Sequence, residues 1–260
     1  MSRARPSRLR GPWTLFVKEV RRYLRVPGQT VLSPVVTTAL YLAVFGFALG
    51  GRLREIDGVP YFDFIVPGLV MLGVISNAFL NTASSMMGMK IQGTAIDLLV
   101  TPLTPAQIVA AMVGAAVTRA LVVGALTWLV AVISRGAVHV PHPLHALAFP
   151  LLAAVGLAAA GLLAGIWAEK FEHLNVVPTF ILTPLTFLGG VFYDVRMLPD
   201  TLAAVSRANP ILYLVEGARY GLVGRAAVSP GLGLVVLVAA DAAVIAACLV
   251  ALRTGWKLRS

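Results

Sequence analysis

The sequence predicts an all-α integral membrane protein: six spanning helices with both termini inside, an interfacial helix at the start, and a re-entrant helical pair before the last span. Three observations carry this expectation. Only 12% of the 260 residues are charged, against about a quarter in soluble domains. Mean hydropathy is +0.87. The apolar residues gather in runs of about 20, the length that a ~30 Å hydrocarbon core requires. These runs leave no room for a large soluble unit, so residues 1–260 read as one integral domain.

The elements follow in order. Residues 13–26 place Trp13, Phe16, Val17, Val20 and Leu24 at steps of three and four, with Lys18, Arg21, Arg22 and Arg25 opposite. That is the pattern of a helix lying in the membrane interface. Pro27-Gly28 ends it. The first span is 30–49 and stops at Gly50-Gly51-Arg52; the second, 61–84, opens on Tyr61 and Phe62, rings suited to the headgroup level. Residues 85–105 hold too many breaks to span. They predict a short helix across the inner face, closed by Pro102 and Pro105, and they exceed the 2–8 residues usual between bundle helices, so they are a candidate docking surface. Spans three and four are 107–134 and 145–168.

The fifth span, 175–193, is apolar but carries Pro178, Pro184 and Gly189-Gly190. Residues 198–223 then divide at Asn209-Pro210 into two short helices. One has an apolar stripe of Leu198, Leu202 and Val205, the other of Ile211, Leu214, Val215, Ala218 and Leu222. Neither is long enough to cross, so both are expected to dip into the outer leaflet and return. Glu216 and Arg219 share one helical face and are expected to hold this pair together. The sixth span is 232–252.

Charge orients the whole. With the N-terminus inside, thirteen of the 21 lysines and arginines lie on inner segments, most of them in residues 1–29 and beyond 252, which is the positive-inside bias. Trp13, Trp167 and Trp256 then sit at the inner interface and Trp128 near the outer one. The net charge of +10 belongs to residues flanking apolar runs. It indicates lipid headgroups and not nucleic acid. The basic start lacks the short apolar region and cleavage site of a signal peptide, and Cys248 alone excludes an intramolecular disulfide.

Two ionisable residues lie inside spans. Arg119 in the third and Asp241 in the sixth are each roughly 20 Å from the inner end at ~1.5 Å per residue. Intramembrane charges seek partners, so an Arg119–Asp241 contact is expected, locking two helices or meeting substrate. Gly161-x-x-x-Gly165 is a close-packing motif. His139, His142 and His145 are held apart by Pro141 and Pro143 and predict no metal site. There is no phosphate-cradling GxxxxGK[ST], no H-E-x-x-H and no G-x-S-x-G, so no catalytic residue is assigned and the chain is not expected to be an enzyme.

Gly93-Thr94, Asp97-Leu98-Leu99 and Thr101-Pro102 resemble the cytoplasmic coupling-helix region of ABC-2-type transporter permeases. Asn175, Pro184 to Leu188, Gly190 to Tyr193, Leu198-Pro199, Asn209-Pro210 and Arg219-Tyr220 resemble that family's signature near the fifth span. The likeness covers nearly the whole chain and runs closest to the short, YadH-like bacterial branch. One departure is Asp97, where the loop often carries Glu. The resemblance implies the membrane subunit of an ATP-driven exporter in the bacterial inner membrane, paired with a second copy of itself and resting on a cytoplasmic ATPase. ATP and Mg would be bound by that partner, so no cofactor is expected on this chain. It implies an ATPase-coupling role for Trp13, Lys18, Arg21, Lys90, Gly93, Thr94, Asp97, Leu98, Leu99 and Pro102.

Alternating access around a dimer cavity would place Asn77, Phe79, Asn81, Phe180 and Phe187 along the pathway. Phe192, Tyr193, Pro199, Asn209, Pro210, Glu216 and Arg219 would form the outer cap. The cargo class implied is lipid, glycan or amphipathic drug. An ion- or proton-coupled carrier using Arg119 and Asp241, and a non-transporting assembly factor, are the alternatives.

Overall fold

The computed structural model describes residues 10–49, 55–136 and 140–257. Five helices among them are long and apolar enough to cross a membrane: Gly28–Gly46, Tyr61–Ile91, Pro105–Ser134, Pro143–Trp167 and Pro230–Thr254. The β structure among the described residues is a small hairpin, β1 Glu55–Ile56 antiparallel to β2 Val59–Pro60. Asp57 and Gly58 both turn with positive φ, 53° and 74°, as a two-residue hairpin loop requires.

Helix α1, Arg10–Leu24, lies against α5, Pro105–Arg135. It is amphipathic, but its buried face is Leu15, Glu19 and Tyr23, while Trp13 and Leu24 of the predicted stripe are 64% and 52% exposed. The difference has a polar cause. Glu19 finds hydrogen-bonding partners inside the protein, and the Trp13 face is left for the interface.

The first span is α2, Ser33–Tyr41, flanked by π-helical turns Gly28–Leu32 and Leu42–Leu49. It stands at the edge, with Leu32, Val36, Leu40 and Val44 exposed. Helix α3, Tyr61–Ile91, is the centre of the bundle and packs on α5 and on α6, Pro143–Trp167. It runs past the expected end at residue 84, because Met86, Met87 and Met89 continue it inward. The first real break is Gly93, with φ at +71°. The expected loop therefore shrinks to a turn, helix α4 (Ala95–Val100) and a short link. Thr104 and Gln107 then start α5 with a reciprocal capping box.

Close packing of α3 on α6 depends on small residues. A Cβ added at Gly161 would lie 2.1 Å from the Phe79 carbonyl oxygen, and one at Gly165 would lie 2.8 Å from Met86 Cβ. The Thr82 hydroxyl donates across the same seam to the Ala158 carbonyl at 2.7 Å. The GxxxG motif thus joins two helices of one chain.

The fifth predicted span is corrected in both extent and continuity. It runs as α7 Phe171–Val177, a π-helical turn Pro178–Leu182 and α8 Thr183–Leu188. Prolines without an N–H interrupt the ladder, and Gly190 at φ +72° ends it. Val191, Phe192 and Tyr193 consequently leave the span.

A 3-10 turn, Val195–Met197, leads to α9, Asp200–Ala208, and α10, Pro210–Val223. The Asn209 side chain accepts from the Ile211 N–H at 3.0 Å and so caps α10. The α10 stripe is buried inside the protein, whereas in α9 the buried residues are Ala203 and Ser206, and Leu202 and Val205 face outward. The last helix, α11 (Pro230–Thr254), rests on α6 and α10 with most of its surface open.

Candidate functional site

At one end of the bundle, the start of α1 meets the link that follows α4. Their closeness is set by Gly11, where an added Cβ would lie 2.7 Å from Leu103 Cδ2. Trp13 stacks on Phe16 at 5.3 Å and remains exposed. Lys18, Arg21, Gly93, Asp97 and Pro102 are exposed as well, and Thr94 is half-buried. Ile91, Ile96 and Val100 are 62%, 50% and 76% exposed, large apolar side chains left uncovered around α4. Leu98 is buried and anchors α4; the Leu99 side chain lies outside the described residues. Lys90 is a correction. Its ammonium donates to the carbonyls of Ile166 at 2.9 Å and Ala168 at 2.5 Å, which caps the C-terminal end of α6 and ties the side chain inside the protein.

A polar network joins α1, α3 and α5. Arg119 donates to the Thr30 carbonyl at 3.0 Å, to Asn81 Oδ1 at 3.3 Å and to Asn77 Oδ1 at 2.9 Å. Arg22 donates to the Asn81 carbonyl at 2.8 Å, to its Oδ1 at 3.1 Å, and to Glu19 Oε2 at 2.9 Å. Ser85 donates to the same Glu19 oxygen at 2.6 Å. Asn81 therefore bridges the two guanidinium groups, while Glu19 Oε1 is buried without a partner.

The expected Arg119–Asp241 contact is absent. Arg119 faces α3 and the start of the first span, whereas Asp241 on α11 faces α6, where a Cβ on Gly156 would lie 2.0 Å from its Oδ1. Equal depth did not give equal azimuth. Asp241 Oδ2 is buried and has no hydrogen-bond partner.

The expected pathway residues divide. Asn77, Phe79 and Asn81 are buried, the asparagines engaged by Arg119 and Phe79 packed at the α3–α6 seam, so none of the three lines an open cavity. Phe180 and Phe187 are 73% and 55% exposed on the Phe171–Leu188 segment. Sequence reasoning passed over Glu19, Arg22 and Ser85 as a group. The available signal was Glu19, placed four residues after Leu15 and four before Tyr23 on a face otherwise apolar.

The opposite end holds the cap residues. Arg219 is 2% exposed; it forms an ion pair with Glu216, donates to the Gly190 carbonyl at 2.6 Å and the Phe64 carbonyl at 3.3 Å, and lies 3.9 Å above the Phe64 ring. Glu216 also accepts from the Ala227 N–H. The pair fastens α10 to α3, to the end of the fifth span and to the loop before α11. It was expected to hold α9 to α10, and its partners lie elsewhere. Asn209 Nδ2 donates to the Leu185 carbonyl at 2.5 Å, adding a second tie to the fifth span.

Phe192 packs between Phe45 and Phe187, with centroids 4.7 and 5.6 Å away. Tyr193 is half-buried, and Pro199 and Pro210 are exposed at the starts of α9 and α10. Arg196 bridges Asp194 and, at 2.9 Å, Asp57 of the hairpin turn. Burial opposes ionisation of Asp194, but the hydrogen bonds from Arg196 outweigh it and hold the carboxyl below its ordinary range. His142 and His145 flank the Tyr220 ring at 4.3 and 5.0 Å; His139 lies outside the described residues. Among the described residues, no group of three or more His, Cys, Asp or Glu is placed to hold a metal.

A bundle of long apolar helices with a buried polar node and an exposed apolar end defines a polytopic membrane protein, and comparison refines that class. The ABC-2 type transporter family matches residues 12–223. The chain is 42% identical over 215 residues to the inner membrane transport permease YadH of Escherichia coli K12, covering 81% of this chain and 82% of that one. It is also 29% identical over 220 residues to nodulation protein J of Sinorhizobium fredii (82% and 83% covered), and 28% over 226 residues to nodulation protein J of Rhizobium meliloti (85% of each). The chain belongs to the ABC-2 type transporter family and is a multi-pass protein of the inner membrane.

Proposed function

We propose that this chain is the membrane-spanning subunit of an ATP-driven exporter, working as a dimer on two cytoplasmic ATPase subunits and moving an amphipathic, lipid or glycan-type cargo outward. The six-span reading counts Phe171–Leu188 as the fifth crossing, with N- and C-termini inside and α9–α10 as the outer re-entrant pair. The observation that carries the proposal is the exposure of the apolar Ile91, Ile96 and Val100 around α4, together with that of Trp13, Lys18 and Arg21 on α1. Exposed apolar surface with polar surroundings marks interaction sites, and these residues lie on the side assigned to the cytoplasm.

The mechanism follows from what lies behind these residues. Force on α1 reaches Arg22 and Glu19 directly, and through Asn81 reaches Arg119 on α5 and the centre of α3. ATP-driven closure of the partner subunits would press α1 and α4 together and shift this node. The exposed faces of the first and fifth spans would then move against the second copy and change access to the cavity between them. The carrier alternative is weakened, because its proposed coupling residues, Arg119 and Asp241, do not meet.

Co-purification with the ATPase partner, and ATP-dependent export in everted vesicles, test the assignment. Val100→Asp with Ile96→Asp is expected to abolish capture of the ATPase while leaving the membrane subunit folded. Transport driven by a proton gradient without ATP would overturn the assignment.

A further inference from the structure

Two cavities meet at Trp128, near the hairpin end of the molecule. The first, about 480 Å³, opens at the rim, where Pro60, Asp63, Pro67, Gly136 and Pro141 are among its lining residues. The second, about 400 Å³, runs between α3, α5 and α6 and is lined by Val70, Val74, Leu121, Gly124, Ala125 and Pro150 among others. Trp128 and Leu222 belong to both walls. Each volume falls within the roughly 300–1,000 Å³ of small-molecule sites. Val74 is roughly 20 Å along α3 from Tyr61 at ~1.5 Å per residue, so the deeper cavity reaches the middle of a ~30 Å core.

Polarity changes along this path. The rim is close to the hairpin turn and includes the Asp63 carboxylate, while the deep part is apolar apart from the indole of Trp128. The deep part opens sideways, because Ala125 and Pro143 are exposed on its edges and Leu147 is 62% exposed. A molecule entering that way comes from the bilayer. The Trp128 indole N–H is buried with no acceptor among the described residues, although buried indole donors ordinarily have one. Tryptophan favours the interfacial depth, which is where the ester carbonyls of a lipid lie.

We propose that this bipartite groove holds one membrane phospholipid per protomer, with an acyl chain between α3, α5 and α6, its ester region at Trp128 and its headgroup at the rim. The occupant is resident and not cargo. The groove is built by one protomer's α3, α5, α6 and α10, apart from the exposed Phe180 and Phe187 face assigned to transport. Its apolar depth suits a hydrocarbon chain, and its polar mouth suits the group attached to one. A bound lipid would fill the space lined by Ala125 and Ala146 between three otherwise closely packed helices.

The full chain, purified from membranes and exchanged repeatedly into fresh detergent, is read by native mass spectrometry and by phosphorus content. One retained phospholipid per chain is expected. Ala125→Phe, which plugs the sideways mouth, should reduce retention at least tenfold, and Leu232→Phe on the exposed face of α11 should leave it unchanged. Equal retention in the wild type and Ala125→Phe, or none in the folded wild type, overturns the proposal. Displacement of the lipid by an exported amphiphile would assign the groove to cargo and overturn it too. Should Ala125→Phe fail to fold, a chain carrying Trp13→Phe, Trp167→Phe and Trp256→Phe decides the matter. After reconstitution with a brominated phospholipid and return to detergent, persistent quenching of Trp128 supports the resident lipid, and full emission refutes it.

Discussion

Arg119 and Arg219 are both almost wholly buried, at 8% and 2% exposure, yet their surroundings differ in kind. Arg219 has a carboxylate three residues away on its own helix, two backbone carbonyls and an aromatic ring beneath it. Arg119 has two amide oxygens and one carbonyl, all on other helices. The first arrangement neutralises its charge locally, fixing α10 against α3 whatever the rest of the bundle does. The second leaves the cation dependent on neutral acceptors shared with Arg22, so it holds only while α1, α3 and α5 keep their present relation. The Arg219 pair is tied within its own neighbourhood, and the Arg119 node depends on how several helices sit together.

Substitutions sharpen this contrast, beginning with the largest expected effect. Arg219→Leu strands Glu216 in the interior and should cost about 3–5 kcal/mol in unfolding. Adding Glu216→Leu should recover roughly half of that loss, since a removed pair leaves no lone charge. Thermal unfolding of single and double variants in detergent measures both. Arg119→Met leaves only neutral amides behind and should cost about 1–3 kcal/mol, while ATP-driven transport falls at least tenfold. If transport survives, the node does not transmit force. If stability falls as far as with Arg219→Leu, the proposed difference between the two ends disappears.

The hairpin tie gives a smaller, pH-dependent effect. Asp194 has a folded pKa below its unfolded value of about 3.9, so its contribution is present above that unfolded value and is lost as pH falls through the folded one. Its partner Arg196 is half exposed, so the contribution is about 1 kcal/mol or less after solvent screening. Asp194→Asn should remove it at neutral pH and flatten the acid limb of an unfolding-versus-pH curve below about pH 4. Smallest of all, Trp13→Ala should change stability by no more than about 0.5 kcal/mol, as exposed positions do, yet should reduce capture of the ATPase partner.

Much of this architecture was legible in the chain because its signals are one-dimensional. Run length marked the long helices, Asn209-Pro210 marked a turn that the Asn209 cap then makes, and an i,i+3 spacing was enough to pair Glu216 with Arg219. What failed depended on azimuth. Arg119 and Asp241 match in depth but point to different neighbours, and no linear count contains that angle. The second face of α1, which packs inside the protein, was not foreseen because Glu19 looks polar in sequence, though Ser85 and Arg22 satisfy it inside. Lys90 looked like a surface cation until the end of α6, far away in sequence, proved to need a donor. The fifth span was seen to be fractured, but its end was placed at residue 193 because hydropathy does not register the turn at Gly190.

The π-helical turns of the first and fifth spans have a geometric consequence. A π turn holds one residue more than an α turn, so its conversion to α moves one residue of register along the helix. At 3.6 residues per turn, this rotates everything on one side of the conversion by roughly 100° about the axis relative to the other. Such a twist at Pro178–Leu182 would swing Phe187 through more than a quarter of a circle with little change in helix length, and Gly28–Leu32 would do the same for Val36 and Leu40. Both segments, each with large apolar side chains facing outward, thus carry a place where a small local change in hydrogen bonding becomes a change of face.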